Sequence, residues 1–544
     1  MHKQDNVLVA LEDLPEGTQI KNGDQKLVLT EPISAKHKIS LSDMSEGDVI
    51  TMYGIKVGVV TKRIKKGAAI TTENVKNATK EIERNNPLNF KWTPPDVNAF
   101  KNRTFLGYHR ADGQVGTANY WLVIPMVFCE NRNAEKIKEA MLPELGFQPE
   151  SPYRQFTGEL VMQYKKGISA EDISFNKQTT IQPSSERSKL FNNVTGIKFL
   201  IHEGGCGATD FDVNILCGLL AGYITNANVA GVTLLSLGCQ KSQLSLLHQE
   251  IKKRDPEFSK PYIELDHQKI GTEDDMIRQA IQSTFLGLIE ADKIERKPAP
   301  LSKLCIGLKC GGSDGFSGIS ANPAIGYVSD MIIALGGATI LSEFPELSGA
   351  EQDLYERCET RADAEKFINL MQVYNERAKA VGSGFEWNPS VGNIKDGLIT
   401  DAIKSAGAAK KGGTSPVVGV LDYPEKVMKK GLHLLCTPGN DVESVTGEVG
   451  SGATLVLFTT GLGTPTGNPI APVVKISTNN SLYIKMADII DINTGEIITG
   501  QETIEQAGER ILNYLIEVAS GKKEPASVRN GQNDFIPWKR QLSL

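Results

Sequence analysis

The sequence predicts an α/β protein in which a small all-β domain precedes two α/β halves built on mainly parallel sheets. Residues 1–78 contain short β-type runs separated by Pro and Gly turns, which is typical of a small β domain. From about residue 101, apolar strand runs alternate with helical stretches, and this alternation favours parallel sheets. At 544 residues the chain is too long for one hydrophobic core, so several domains are expected.

Changes in composition indicate where the domains meet. Residues 79–100 carry three Pro and little periodicity, so we predict an extended linker after the β domain of residues 1–78. The stretch IERKPAPLSK, which begins at Ile294, has the same character and divides the α/β region. The sequence therefore predicts a first α/β domain over 101–295 and a second over 296–544.

Composition and charge exclude several classes of protein. With 40% hydrophobic and 23% charged residues the composition is that of a globular protein, and the net charge of −6 does not favour nucleic-acid binding. The chain has no apolar run long enough for a membrane helix, and an N-terminus broken by Pro15 and Gly17 is not typical of a signal peptide. We therefore expect a cytoplasmic protein with a small-molecule partner, and a homodimer is left open.

Strand runs of the α/β region repeatedly end in glycine-rich or polar turns, often with a Cys. The clearest is LKCGGSDGFSGISAN at 308–322, which follows the apolar run Leu304–Leu308 and precedes a predicted helix. Glycine turns between a strand and a helix leave backbone N–H groups free to bind a ligand, so we expect the site at this edge of the sheets. The loops 382–397 and 410–416 are either covers for that site or plain surface loops.

These turns resemble those of the altronate dehydratase/galactarate dehydratase family. The GGSDG, SGI and ANP pieces at 311–323 are the most specific, and DNVLVALEDLPEGT, HKISL and MYGIKVG resemble the family's SAF-type β-clip domain at the N-terminus. The other matching segments are GYHRADGQVGTANY (107–120), GGCG (204–207), LGC (237–239), LKCGGSDGFSGISANPAIG (308–326), LSEFPELSGAEQDL (341–354), TPGND (437–441), LFTTGLGTPTGNP (457–469) and VVKISTNN (473–480).

The resemblance implies a metal-dependent hydro-lyase that dehydrates a sugar acid to a 2-keto-3-deoxy sugar acid. It favours D-altronate as the substrate, with galactarate or another aldonate or aldarate as the alternative. It implies Fe²⁺ as the cofactor, with Mn²⁺ as an alternative; an iron–sulfur cluster is a less favoured alternative that rests on the cysteines at strand ends. Some members carry His-x-His-Asn late in the β domain, where this chain has Ile70-Thr71-Thr72-Glu73-Asn74. Because of that departure, a non-catalytic sugar-acid-binding protein stays open as an alternative to an enzyme.

Dehydration of a sugar acid sets chemical requirements to which residues can be matched. A proton must leave the carbon beside the carboxylate, which creates a dianionic enediolate that a metal or aimed donors must stabilise. A base must take that proton, and an acid must assist the departing hydroxide. The candidates for these catalytic roles are His37, His202, Glu203, Asp314, Glu343 and Lys475.

Most of the catalytic candidates also have a structural interpretation. A single His in a small β domain, such as His37, is more often structural, and Asp314 could close an Asx-turn instead. Glu343 could cap a helix N-terminus, and Lys475 could lie on the wet face of an edge strand. The sequence alone leaves these alternatives open.

Other residues match the binding of the substrate. The planar guanidinium group of Arg110 is suited to form two parallel hydrogen bonds to a carboxylate. The turn GLGTPTG at 461–467 lacks the spacing of a dinucleotide-binding loop and is interpreted as an anion-binding turn for the sugar acid. The predicted substrate-binding residues are Arg110, Gly311, Gly312, Ser313, Ser317, Asn322, Gly461, Gly463 and Thr464.

The cysteines that follow strands leave two interpretations open. Eight Cys without short spacings do not form a disulfide framework. Those at strand ends are either small residues at tight turns or thiolate ligands of iron or of an iron–sulfur cluster. They are Cys129, Cys206, Cys239 and Cys310. Oxygen ligands would come from Glu203, Asp314, Glu343 and Glu346. The predicted metal ligands are Cys206, Cys239, Cys310 and Glu346.

Overall fold

The structure is a computed structural model that describes residues 2–23, 25–80, 82–84, 88, 90–148, 152–173, 188–385 and 388–540. It confirms a mixed α/β protein in which a small antiparallel β domain precedes parallel sheets. Within the described residues, no helix combines the length and the apolarity that a membrane span requires.

The N-terminal β domain consists of short strands in small antiparallel sheets. Its strands are β1 (Val7–Val9), β2 (Gln19–Asn22), β3 (Gln25–Val28), β4 (Lys38–Ser40), β5 (Val49–Met52), β6 (Ile55–Val60), β7 (Ala69–Ile70) and β8 (Val75–Lys76). They pair in the orders β1–β4–β7, β2–β3 and β5–β6–β8. Buried apolar residues of this domain, among them Ile50 and Val57, form one core cluster with Ala402 and Ile403 far along the chain. The β domain therefore packs against the C-terminal part of the protein.

The described residues of 79–100 form no helix or strand, as expected for a linker, and residues 81, 85–87 and 89 lie outside the described chain. This segment contacts the second part of the α/β region. The indole N–H of Trp92 donates to Thr414 Oγ1 at 3.1 Å. The predicted domain boundaries themselves stay predictions.

A first parallel sheet has the order β12–β11–β13–β14. The strands of this region are β9 (Thr104–His109), β10 (Val115–Gly116), β11 (Tyr120–Pro125), β12 (Gly196–Phe199), β13 (Val229–Ser236), β14 (Tyr262–Asp266) and β15 (Lys297–Pro300). Its helices are α1 (Asn131–Glu144), α2 (Pro152–Lys165), α3 (Asp210–Thr225), α4 (Leu244–Arg254), α5 (His267–Ile270) and α6 (Glu273–Asp292), with a 3-10 helix at Phe128–Glu130. Strands β10, β9 and β15 form a separate antiparallel sheet.

Helix α3 joins the two parallel sheets. The side chain of Thr209 accepts a hydrogen bond from the Asp212 N–H, so it caps the helix. The helix is buried almost all round because it packs between elements of both sheets. A Cβ at Gly222 would lie 2.0 Å from the carbonyl oxygen of Gly450, and only glycine fits at that crossing.

A second, seven-stranded parallel sheet has the order β18–β19–β17–β16–β20–β21–β22. Its strands are β16 (Cys305–Cys310), β17 (Ala338–Leu341), β18 (Val417–Leu421), β19 (Gly431–Leu435), β20 (Leu455–Thr460), β21 (Val473–Ser477) and β22 (Ile492–Asn493). Its helices are α7 (Ala321–Ala334), α8 (Glu351–Glu356), α9 (Arg361–Ala380), α10 (Val391–Lys395), α11 (Asp401–Ala409), α12 (Asp441–Gly450), α13 (Asn480–Lys485), α14 (Gly495–Ile498), α15 (Ile504–Ala519) and α16 (Ala526–Arg529). Further 3-10 helices lie at Leu301–Lys303, Phe344–Leu347 and Lys410–Gly412.

Candidate functional site

The order of the seven-stranded sheet reverses at β16. This strand pairs with β17 on one side and with β20 on the other, and β19 and β18 continue beyond β17. Such a reversal opens a crevice at the carboxyl ends of the strands, where ligands bind in α/β proteins. Seven polar side chains meet at this point, and we call them the lysine–carboxylate cluster. They are Lys309, Cys310, Glu343, Glu346, Lys404, Lys411 and Asp441.

Glu343 lies at the centre of the cluster and is fully buried. Its Oε1 contacts Lys309 Nζ, and its Oε2 lies 2.8 Å from Lys411 Nζ. Lys309 also lies 3.1 Å from an oxygen of Asp441 at the rim, where the carboxylate side chain is 27% exposed. Lys411 in turn donates to the Cys310 sulfur at 2.7 Å. Buried charges are stable only when paired in this way.

Glu346 forms the second half of the cluster. Lys404 Nζ lies 2.9 Å from its Oε1, and the Cys310 thiol donates to its Oε2 at 3.1 Å. Lys404 also donates to Asn388 Oδ1 at 3.0 Å. The Lys404 and Glu346 side chains are each 8% exposed, so this pair has more contact with solvent than the fully buried Glu343 with its two lysines.

Local backbone structure places these groups. Lys309 and Cys310 are the last two residues of β16. Glu343 follows β17 with a left-handed backbone, φ 69°, and its N–H donates to Thr437 Oγ1 at 2.9 Å. A left-handed glutamate is uncommon and is typical of functional sites. Lys404 lies on α11, and Lys411 lies on the 3-10 helix that follows it.

The electrostatics of the cluster keep Glu346 ionised and the three lysines charged. Burial alone would raise the pKa of Glu346, but Lys404, Lys411 and Lys309 outweigh it and lower the pKa to about 2. Burial alone would lower the pKa of Lys411, but the negative charges of Glu343 and Glu346 outweigh it and raise that pKa. Burial and then Glu346 raise the pKa of the Cys310 thiol, which therefore stays protonated.

The cluster does not fit a metal ion as it is folded. Cys310, Glu343 and Glu346 are the one group among the described residues whose donor atoms all lie within 4.8 Å of one another. Each of those donors is already engaged by a lysine ammonium or by the thiol proton. A divalent cation here would have to displace ammonium groups or share their place, and like charges repel strongly in a buried site. We derive no catalytic step through a metal at this position.

Two further buried carboxyl groups lie close to the cluster. Asp401 precedes Lys404 by three residues on α11, so the two side chains share a helix face. Burial raises the pKa of Asp401 to about 7. Glu448 accepts from Ser342 Oγ at 2.6 Å, and burial raises its pKa to about 8. Both groups hold a proton at or near neutral pH.

Glu448 should make the stability of the fold depend on pH. Its pKa of about 8 in the fold exceeds the ordinary 4.5, so the folded chain keeps a proton that the unfolded chain loses. Stability therefore falls as pH rises from 4.5 to about 8, by about 1.4 kcal/mol per pH unit. Glu448→Gln has no titrating group at this position, so it should not lose this stability. In urea unfolding, the free energy of unfolding of the variant minus that of wild type should therefore be larger at pH 8 than at pH 5. A difference that is the same at both pH values would contradict the predicted effect of Glu448.

Most predicted substrate-binding residues come together beside the cluster. Gly461 N–H donates to the Gly312 carbonyl at 3.0 Å, and Asn322 accepts from Thr459 Oγ1 at 2.6 Å. A Cβ at Gly311 would lie 2.5 Å from Asp441, so this turn borders the rim of the cluster. The residues gathered in this region are Gly311, Gly312, Ser313, Ser317, Asn322, Gly461, Gly463 and Thr464.

Asp314, in the same turn, anchors the β domain. Its carboxylate is fully buried and accepts from Ser317 Oγ and from Thr478 Oγ1, each at 3.1 Å. Lys36 of the β domain lies 3.1 Å from the same carboxylate and 2.7 Å from Asp396. These contacts occupy both Asp314 oxygens and join two parts of the chain that are far apart in sequence.

Lys36→Met should weaken this docking. It leaves the Asp314 carboxylate buried without its cation, which is expected to cost about 3–5 kcal/mol when a buried pair is broken. The expected result is a lower melting temperature and faster proteolytic release of the β domain. Lys62→Met, which changes an exposed lysine of the same domain, serves as the control. Equal proteolysis of the two variants would contradict the anchoring role.

His202 and Arg110 make contacts typical of structural residues. His202 is buried, its Nε2–H donates to the Pro125 carbonyl at 2.8 Å, and its Nδ1 accepts from Gly204 N–H at 3.1 Å. Burial lowers the His202 pKa to about 4, so the ring is neutral. Arg110 donates to the Ala227 carbonyl at 2.7 Å, near the amino end of β13 and away from the strand-end turns. Both nitrogens of the His202 ring are thus engaged, and the structure does not bring Arg110 to the cluster.

The remaining catalytic candidates also lie apart from the cluster. Lys475 is buried in β21, donates to Gln532 Oε1 at 2.5 Å, and has a pKa lowered by burial to about 8. His37 is half-buried, with its ring Nδ1 3.2 Å from the Ala35 carbonyl. Glu203 is exposed after β12. Of the six catalytic candidates, Glu343 is the one that the structure places in the cluster.

The predicted metal ligands divide into two groups. Cys310 and Glu346 meet in the cluster, whereas Cys206 and Cys239 are exposed at the carboxyl edge of the other parallel sheet. Four functional candidates were not predicted from the sequence: Lys309, Lys404, Lys411 and Asp401. Lys309 carried a usable signal, because a lysine at the end of an apolar strand run needs a partner when it is buried.

Comparison with known proteins identifies the family. Residues 1–78 match the altronate/galactarate dehydratase SAF domain, residues 107–292 the second domain of D-galactarate dehydratase/altronate hydrolase, and residues 301–543 the C-terminal domain of D-galactarate/altronate dehydratase. The chain is 33% identical to altronate dehydratase of Bacillus subtilis (strain 168) over 98% of its own length and 96% of that protein. It is 32% identical to altronate dehydratase of Escherichia coli (strain K12), covering 100% and 98% of the two chains. It is 30% identical to galactarate dehydratase (L-threo-forming) of the same organism, covering 98% and 95%. The resemblance of the strand-end turns is thereby confirmed, and the chain belongs to the altronate/galactarate dehydratase family of hydro-lyases.

Proposed function

We propose that this enzyme dehydrates D-altronate to a 2-keto-3-deoxy sugar acid at the lysine–carboxylate cluster. The observation that carries the proposal is the convergence of three buried lysines on two buried carboxylates at the reversal point of the parallel sheet. Galactarate is the alternative substrate, since a galactarate dehydratase is also among the relatives. Fe²⁺ stays the predicted cofactor, with Mn²⁺ as the alternative, but the donor atoms of this cluster are engaged by lysines and a thiol, so the proposed residue roles do not use a metal. We further propose that 101–295 and 296–544 are separate domains that each contain one of the parallel sheets.

The Lys404–Glu346 pair suits the first step, removal of the proton beside the substrate carboxylate. In the free enzyme Lys404 neutralises Glu346, and with the other lysines it lowers the Glu346 pKa to about 2, which makes Glu346 a weak base. A substrate carboxylate that binds Lys404 competes for that ammonium, so the basicity of Glu346 rises as the substrate arrives. Lys309 and Lys411, fixed by Glu343, supply preorganised positive charge for the enediolate.

Asp401 suits the second step, protonation of the departing hydroxide. Its pKa of about 7 means that it still carries a proton near neutral pH, as an efficient general acid must. It shares a face of α11 with Lys404, so it borders the proposed carboxylate site. Its Oδ1 has no hydrogen-bond partner among the described residues, which leaves that oxygen available to a substrate hydroxyl.

The pH profile of turnover tests the Asp401 role. Because the acid must be protonated, kcat/KM should fall about tenfold per pH unit above the pKa of about 7. Asp401→Asn should be slow and should lose this alkaline limb. Asp353→Asn, an exposed aspartate on the neighbouring helix α8, should keep both the rate and the profile. An unchanged alkaline limb in Asp401→Asn would rule Asp401 out.

Turnover of D-altronate and galactarate, measured side by side without oxygen and with added ferrous iron, tests the proposal as a whole. We expect the 2-keto-3-deoxy product from D-altronate at a kcat/KM at least tenfold above that for galactarate. Product from galactarate alone would keep the reaction and correct the substrate. Binding of both acids without product would support the non-catalytic alternative.

A further inference from the structure

We propose that Cys129, Cys206 and Cys239 hold a [4Fe–4S] cluster through three thiolates. The site lies on the first parallel sheet, and none of these cysteines belongs to the lysine–carboxylate cluster. The proposal rests on the placement of the three residues and does not depend on which substrate the enzyme uses.

The three cysteines follow three adjacent parallel strands. Cys129 comes after β11, Cys206 after β12 and Cys239 after β13, and the sheet order is β12–β11–β13. Neighbouring strands lie about 4.8 Å apart, so their carboxyl ends bring the following loops to one edge. The wide separation of these residues in sequence is thus compatible with closeness in space, which is what a cluster site requires.

Backbone hydrogen bonds join the three loops directly. Phe128 N–H donates to the Gly204 carbonyl at 3.1 Å, and Lys241 N–H donates to the Gly205 carbonyl at 2.9 Å. Three peptide links and one hydrogen bond therefore separate Cys129 from Cys206, and the same number separates Cys206 from Cys239. The three thiols belong to one hydrogen-bonded structure.

The surroundings of these cysteines differ from those of the other five. Cys129, Cys206 and Cys239 are all exposed, whereas the others are buried or half-buried, and cysteine is among the residues most often buried. The side-chain N–H of Gln268 donates to the Cys239 sulfur at 3.2 Å, the kind of bond that stabilises a cluster thiolate.

Glycines also leave room around two of the thiols. Gly205 and Gly207 flank Cys206 with φ values of 100° and 57°, and Gly238 precedes Cys239 with φ 109°. All three have left-handed backbone conformations that residues with side chains rarely adopt. The turns therefore expose backbone N–H groups next to the sulfurs, as anion-binding turns do.

The three sulfurs do not have the close spacing of ligands to a single ion. Thiolates of one tetrahedral ion lie about 3.8 Å apart, since each metal–sulfur bond is about 2.3 Å. These three sulfurs are not among the described groups whose donor atoms all lie within 4.8 Å of one another. In a cubane each thiolate binds a different iron, so its thiolates lie farther apart. Three protein thiolates leave one iron open to water or to an oxygen ligand from outside, and each thiol releases its proton on binding.

The test uses the full chain, reconstituted without oxygen with ferrous iron and sulfide. Iron, acid-labile sulfide and visible absorbance are measured for wild type and for Cys129→Ser, Cys206→Ser and Cys239→Ser, with Cys305→Ser as the control. We expect about four iron and four sulfide per wild-type chain, the same in the control, and at least a fivefold loss in each of the three variants. Circular dichroism checks that the variants fold.

Two results would overturn the proposal. One is wild-type protein that binds iron without acid-labile sulfide, which would indicate a mononuclear site. The other is sulfide content that is equal in Cys305→Ser and the three variants. Glu343→Gln separates this proposal from the proposed function, because it should lose turnover while it keeps a full complement of iron and sulfide.

Discussion

Lys411→Met is expected to lower kcat for sugar-acid dehydration by on the order of 10²–10³-fold. Lys411 is fully buried and bridges Glu343 Oε2 at 2.8 Å and the Cys310 sulfur at 2.7 Å. Methionine keeps most of the volume and removes the charge, so the enediolate loses one of its preorganised cations. The buried Glu343 carboxylate also loses a partner, and the free energy of unfolding should fall by about 3–5 kcal/mol.

Two further variants separate the charge from other effects. Lys410→Met changes the exposed neighbour of Lys411 on the same 3-10 helix and should leave kcat within twofold of wild type. Lys411→Arg keeps the positive charge, and it should retain more activity than Lys411→Met if charge is what matters. Steady-state rates and urea unfolding are measured on all three. A kcat for Lys411→Met that is close to that of wild type would remove Lys411 from the mechanism.

Glu343→Gln is the second substitution with a large expected effect. Its carboxylate contacts Lys309 through one oxygen and Lys411 through the other, so the amide leaves two buried ammonium groups without a shared counter-charge. We expect kcat to fall at least about 100-fold and the free energy of unfolding to fall by about 3–5 kcal/mol. Glutamine has nearly the same shape as glutamate, so a fall in kcat and in stability would result from the lost negative charge.

Glu359→Gln is the matched control for this substitution, because Glu359 is an exposed glutamate in the same α/β region. It should keep wild-type turnover and stability. Turnover is followed by formation of the 2-keto product, and stability by urea unfolding. Full activity in Glu343→Gln would mean that the two lysines do not need this carboxylate, which contradicts the arrangement proposed here.

The sequence predicted the fold well where the pattern is local. The alternation of strand and helix after residue 101 predicted the parallel sheets. The turn at Gly311–Ser317 was expected at the carboxyl end of a strand, and β16 ends at Cys310. These features depend on neighbouring residues, so a single sequence reveals them.

The site was harder to predict because its members come from distant segments. Glu343 was recognised at a strand end, and Lys309 lies at another. Lys404 lies on a helix of small residues, and Lys411 lies in a segment for which a plain surface loop was an equally good interpretation. Which cation meets which carboxylate depends on the order β19–β17–β16–β20, and a single sequence does not contain that order. The same limit applies to Asp314, whose partner Lys36 is far away in sequence.

A crystal structure of Glu346→Gln with bound D-altronate would show whether the sugar acid binds at the lysine–carboxylate cluster, because the variant should bind the acid without consuming it. We expect the sugar-acid carboxylate within hydrogen-bond distance of Lys404 Nζ, beside Asp401 and the Gly311 turn. A sugar acid bound instead at the loops of Cys129, Cys206 and Cys239, with Lys404 uncontacted, would contradict it and move the reaction to the other sheet.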